Sequence, residues 1–206
     1  GSLQGSLFGD EILAAPNEKL TVDKVPHSYK YIDTEAALGD LISEMRSLKE
    51  FCFDTETTSL NALDSELVAV SFSWEKGTGY LIYFPESKQE TIAILKRLQP
   101  VFENPASLKI GQNLKFDIQV LANYGIEVKG PLFDTMLAHY LLEPDLRHNM
   151  DYLSETYLAY KPVPIESLIG EKGKGQKNMR SVPVEKILEY AVEDADVTYQ
   201  LKEIFE

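Results

Sequence analysis

One short segment limits this chain more than any other: the apolar run Phe51-Cys52-Phe53 passes directly into Asp54-Thr55-Glu56. The run reads as a buried strand. Residues two apart on a strand point to the same face, so Asp54 and Glu56 stand side by side. Two carboxylates at the end of a buried strand repel each other and are costly to take out of water. Either the pair faces water at a loop entrance, or a divalent cation offsets the cost.

Around this strand the chain alternates between strand-like and helix-like stretches. Tyr29 to Ile32 is β-prone, and Thr34 is a candidate N-cap for a helix carrying Leu38, Leu41, Ile42 and Met45 at helical spacing. Glu66 to Trp74 and Gly79 to Phe84 flank a Gly77-Thr78-Gly79 turn and predict a hairpin. Helices are expected over Lys88 to Leu98, Leu114 to Tyr124, Asp134 to Leu142 and about Pro183 to Phe205, with a brief strand at Lys109-Ile110. This order predicts an α/β or α+β domain with a mixed sheet. Residues 1–27 are weakly patterned and contain Pro16 and Pro26; they read as a tag remnant (Gly1-Ser2) and a linker, with the domain over 28–206.

Two further acids stand out. In the last helix Asp194 interrupts the apolar stripe of Ile187, Ala191, Val197 or Thr198, and Leu201, while Glu189, Glu193, Asp196 and Gln200 read as the opposite, solvated stripe. Tyr190 lies one turn before Asp194, so the two side chains meet. Asp117 falls in the first turns of a helix that follows Gly111-Gln112-Asn113, where the helix dipole alone would favour an acid. Singly, each acid has an ordinary explanation. Together, four carboxylates and a tyrosine from three separated segments suit hard cations that prefer oxygen ligands. His139 and His148 read as structural, since such a site needs no imidazole.

Composition bounds function only loosely. A net charge of −13 over 206 residues opposes long-range attraction to phosphates. An enzyme that holds nucleic acid through divalent cations nevertheless needs carboxylates. No apolar run approaches the ~20 residues of a membrane span, and no leader-like pattern opens the chain. The single cysteine, Cys52, excludes an internal disulfide and suits a cytoplasmic setting.

Three motifs in order carry a resemblance. They are Asp54-Thr55-Glu56, then Asn113-Leu114-Lys115-Phe116-Asp117, then Tyr190-Ala191-Val192-Glu193-Asp194. Phe133-Asp134-Thr135-Met136-Leu137 and His148-Asn149-Met150-Asp151-Tyr152-Leu153 extend it over about Tyr29 to Glu206. The chain resembles the proofreading 3′→5′ exonuclease domain of bacterial DNA polymerase I, within the DEDD exonucleases and their tyrosine variant.

The resemblance implies an RNase H-like α/β fold, a mixed central sheet flanked by helices. It implies that Asp54, Glu56, Asp117 and Asp194 hold two Mg²⁺ or Mn²⁺ ions, with Tyr190 orienting the attacking water and 5′-mononucleotides released. On the substrate side it points to Thr57, Leu60, Asn113 and Phe116, with Ile165 standing where an aromatic wedge is common and offering a weaker stack. Lys174 and Arg180, in the loop Glu171 to Arg180, either touch backbone phosphates or belong to a solvated loop.

The implied partners are a single-stranded or frayed 3′ end of DNA and a polymerase domain following this one, in the bacterial cytoplasm at the nucleoid. Two other readings remain: an RNA 3′-end exonuclease of the ribonuclease D type, and a non-cutting domain that braces DNA, whose signature would be missing acids.

Overall fold

A computed structural model describes residues 18–206. Among the described residues, six strands form one sheet: β1 (Ser28–Tyr31), β2 (Glu50–Thr57), β3 (Leu67–Glu75), β4 (Thr78–Tyr83), β5 (Leu108–Gly111) and β6 (Leu132–Asp134). Their spatial order is β1-β4-β3-β2-β5-β6. The β2–β3 and β3–β4 pairs are antiparallel; β1–β4, β2–β5 and β5–β6 are parallel. The sheet is therefore mixed, as the hairpin followed by helices implied. The described residues also form seven α-helices around it: α1 (Glu35–Met45), α2 (Lys88–Phe102), α3 (Leu114–Ala122), α4 (Thr135–Leu142), α5 (Met150–Leu158), α6 (Glu166–Ile169) and α7 (Val184–Phe205).

Strand alternation sorts β2 between two cores. Phe51 and Phe53 join Phe72 and Phe102 in an aromatic cluster roofed by α1 and α2, with Phe53 and Phe102 edge-on at 5.2 Å. Cys52 points the other way, against Ala195 and Tyr199 of α7. Thr34 caps α1 by accepting the Ala37 N–H, as its sequence position indicated. Helix α2 runs past the expected end at Leu98 despite Pro100. Burial of Val101 and Phe102 in the aromatic cluster outweighs the one helical hydrogen bond that proline removes.

Helix α7 differs from the expected half-solvated helix. Every residue from Ala191 to Tyr199 is buried. Glu193 is 0% exposed and Asp196 4%, so neither belongs to a solvated stripe. The acids are tolerated because they are hydrogen-bonded. Glu193 accepts from the Tyr160 hydroxyl at 2.6 Å and the Val163 N–H at 2.7 Å. Asp196 accepts from Tyr29 Oη at 2.7 Å and from the Gly77 N–H and Gln200 Nε2, both at 2.9 Å.

The described part of the N-terminal segment is folded onto the same body. Leu20 bridges Tyr160, and Val22 sits buried in a short 3-10 turn. Residues 1–17, which fall in the stretch expected to be tag remnant and linker, lie outside the described residues.

The approach of α7 to the sheet requires Gly79. A Cβ there would lie 2.3 Å from Val192 Cγ1 and 2.8 Å from the Phe72 carbonyl oxygen. Gly79→Ala should therefore cost about 1–3 kcal/mol, the usual penalty for overpacking, read as a drop of several degrees in Tm. An unchanged Tm would mean that α7 can lift from β4 freely.

Candidate active site

Strand β2 carries Asp54 and Glu56 to the face covered by α7, and α7 brings Asp194 down onto them. One carboxylate oxygen from each of Asp54, Glu56 and Asp194 lies within 4.8 Å of the other two. Tyr190, one turn earlier on α7, lines the same cleft with Asp54, Asp194, Gln112, Asn149 and Asp151, enclosing about 270 Å³. Asp117 stands in the first turn of α3 and is held from behind. Its Oδ1 accepts the Thr55 N–H at 3.0 Å and the Thr55 hydroxyl at 2.5 Å. The structure thus gathers three of the four expected ligands within one coordination radius and ties the fourth to the residue between the first two.

The electrostatics are unbalanced. Burial pushes Asp54 up to about 6. Burial, and then the charges of Asp54 and Asp194, hold Glu56 well above the ordinary carboxylate range. Asp194 is raised by burial and then by Asp54, and Asp117 by burial and then by Asp54, with Thr55 opposing. The Tyr190 phenol is pushed far up by burial and by Asp194, so it stays an O–H donor. Among the described residues, no lysine, arginine or histidine forms an ion pair with any of the four acids. Asp194 Oδ1 is buried without a hydrogen-bond partner.

A converging, all-oxygen donor set with an orphaned carboxylate oxygen fits a hard divalent cation such as Mg²⁺ or Mn²⁺. Asp54, Glu56 and Asp194 would hold it, with Asp117 beside them.

The other singled-out residues fall into separate places. Leu60, 90% exposed, Asn113 and Phe116 line one depression of about 290 Å³ on the α3 side of the site. Thr57 shapes the loop that presents Leu60, its hydroxyl donating to the Ser59 carbonyl at 2.7 Å. Asn113 adopts the left-handed conformation, φ 59°, which asparagine tolerates better than most residues. Ile165 precedes α6 and packs half-buried against the apolar cluster of α7. Lys174 is exposed. Arg180 departs from a free phosphate-binding side chain: its guanidinium donates to the carbonyls of Phe84 and Leu67 and stands 5.5 Å over the Tyr83 ring. His139 is fully buried between His148 and Tyr157, consistent with a structural role.

Asp134 gains a positioning role that its place in the sequence does not single out. Its carboxylate accepts the N–H groups of Asn113 (3.0 Å), Leu114 (2.8 Å) and Met136 (2.9 Å), capping α3 and α4 together. An aspartate just before an apolar helical run is a cap signal; that it caps a second helix depends on β6 running beside β5.

Comparison with known proteins places this geometry in a class and then a family. RNase D from Escherichia coli superposes with a TM-score of 0.66 at 18% identity, covering 86% of this chain and 44% of that one; the fold is RNase H-like. The family described as 3′-5′ exonuclease matches residues 29–206, and the chain belongs to this 3′-5′ exonuclease family of DNA polymerase I. DNA polymerase I of Borreliella burgdorferi is 33% identical over 98% of this chain, and that of Chloroflexus aurantiacus 36% identical over 93%. The chain spans only 22% and 21% of the lengths of these two relatives.

The raised carboxylates set a pH dependence for stability. Unfolded carboxylates titrate near ~4, so a raised folded pKa contributes stability that is present below that value and lost as pH rises through the folded pKa. In EDTA the protein should therefore gain Tm as pH falls from 8 toward 5, with Asp54 contributing through about pH 6. Mn²⁺ should raise Tm more at pH 8 than at pH 5, because the cation competes with protons for the same oxygens. A metal-induced shift that is equal at both pH values would show that the cation binds elsewhere.

Proposed function

We propose that this chain hydrolyses the 3′-terminal phosphodiester of DNA with two divalent cations, Mg²⁺ or Mn²⁺, releasing 5′-mononucleotides as the proofreading activity of a DNA polymerase I. The observation that carries the reading is the meeting of Asp54, Glu56 and Asp194 in one cleft, where no lysine, arginine or histidine among the described residues pairs with them. Membership of the 3′-5′ exonuclease family supports the direction of cutting. Every acid is present, which disfavours a domain that merely braces DNA.

When bound, the cations supply Lewis-acid charge at the phosphate and lower the pKa of a nearby water. The chain's own residues do the rest. Tyr190 keeps its proton and donates a hydrogen bond that orients the attacking water, with Glu56 as the acceptor. Thr55 holds Asp117 in place from the far side of β2. Leu60 projects from the surface beside Asn113 and Phe116, where an apolar side chain can wedge against the terminal base of a frayed end. Ile165 lies on the α7 side, and the exposed Lys174 can meet a backbone phosphate. The same reading expects a polymerase domain on the same polypeptide and places the protein in the bacterial cytoplasm, at the nucleoid. No helix among the described residues is long and apolar enough to cross a membrane.

A time course on a 5′-labelled single-stranded DNA oligomer with Mn²⁺ should give a ladder shortening from the 3′ end, abolished by EDTA. Asp54→Ala should slow it by roughly 10³-fold or more, since metal-held charge is worth several kcal/mol in the transition state. Tyr190→Phe should cost about 10²-fold in kcat while leaving metal binding intact. A matched RNA oligomer cut faster than DNA would favour the ribonuclease D-type reading, the name carried by a relative from Shewanella sp. that is 25% identical over 84% of this chain. Folded, metal-loaded protein that leaves both oligomers intact would sink the nuclease reading for this chain.

A further inference from the structure

The residues that helix α4 buries are polar. Thr135 and His139 lie one turn apart on the same face, and both are fully buried. Each holds one end of a linkage that reaches the cleft. The Thr135 hydroxyl donates to Oε1 of Gln112. Nε2 of the same amide donates to the His148 carbonyl at 2.7 Å. The His148 ring returns to α4, with its Nδ1 standing 2.7 Å from Nδ1 of His139. The other nitrogen of His139, Nε2, lies 2.9 Å from the Tyr157 hydroxyl of α5.

Both middle members of this linkage adjoin the chemistry. Gln112 lines the cleft beside Asp54, Tyr190 and Asp194, and so do Asn149, Met150 and Asp151, the three residues that follow His148. Little else seats that wall. In the connection between α4 and α5, residues 143–147 and Asn149 are exposed, and only His148 turns inward. Asn149 stands at the N-cap of α5 without a side-chain cap bond.

We infer that Thr135, His139 and His148 are positioning residues of the nuclease: they clamp the Asn149–Asp151 wall to Gln112 and so fix the shape of the cleft. The inference rests on the function proposed above. Only one proton fits between the two Nδ1 atoms, one ring donating it and the other accepting. The pair can therefore take up one extra proton and keep its bond, whereas a second would put an N–H on both facing atoms and break it. Burial, and then His148, hold the His139 imidazole below its ordinary range, with Glu143 opposing. The other titratable groups facing the pair are the phenols of Tyr152 and Tyr157 on α5 and of Tyr140 beside His148. Phe205 faces His139 from α7 without a charge.

Thr135→Val and His139→Phe should each lower kcat on the DNA oligomer by roughly tenfold or more, because small misplacements at a reacting centre are that costly. The Mn²⁺-induced shift in Tm should stay unchanged. Thr135→Ser and His139→Asn, which keep a polar atom at the broken contact, should recover most of the rate. The double variant Thr135→Val with His139→Phe should lose no more than the worse single one, since both break one linkage. Undiminished kcat in Thr135→Val or His139→Phe would overturn the inference, and so would losses that multiply in the double variant. Two readouts do not depend on cutting. Amide exchange over residues 148–151 should quicken on the order of tenfold in both disrupting variants, and imidazole ¹⁵N spectra should show the pair gaining one proton, not two, between pH 8 and pH 5. A protein that cuts no oligomer yet shows both signatures strikes the function and keeps the clamp. Unchanged exchange in the variants strikes the clamp whatever the rate.

Discussion

The close seating of α7 on the sheet is the contact on which the rest of the structure depends. Asp194 can reach Asp54 and Glu56 only if a helix backbone approaches β4 and β3 more closely than side chains normally permit. Gly79 removes the obstacle where Val192 presses down. The small Ala191 and Ala195 keep α7 low over the strands. Such proximity buries carboxylates that would otherwise face water, and burial in turn drives their pKa values up. The closeness that assembles the site thus also makes its carboxylates costly to ionise.

Polar burial elsewhere on α7 follows a different rule. Glu193 and Asp196 are as buried as the site acids, yet each finds donors: Tyr160 and Val163 for the first, Tyr29, Gly77 and Gln200 for the second. These bonds stitch β1, the β3–β4 turn and the segment before α6 to a single helix. Asp194 Oδ1 has no such donor. Acids on one helix thereby differ in whether the protein itself satisfies them.

Asp134 shows how positioning reaches the neighbouring depression. By capping α3 and α4 at once, it fixes Asn113 at the edge of the depression that Leu60 and Phe116 also line. The start of helix α4 is thus tied to the cleft, while its outer face is left apolar and uncovered.

Local sequence determined a good deal of this. The period-two pattern of β2 put Asp54 and Glu56 on one face, the Thr34 cap and helical spacing marked α1, and the Tyr190–Asp194 spacing placed the phenol above the acid. Those features are legible because they depend on neighbours one turn or two residues away. Tertiary packing decided the remainder. It extended α2 past Pro100 to deliver Phe102, buried Glu193 and Asp196 where periodicity implied water, committed Arg180 to two backbone carbonyls, and turned Asp117 toward Thr55. It also created β6 and α5, which no local pattern had marked. Each of these outcomes hangs on partners tens of residues distant, whose hydrogen bonds and apolar contacts outweigh local preference once the chain is folded.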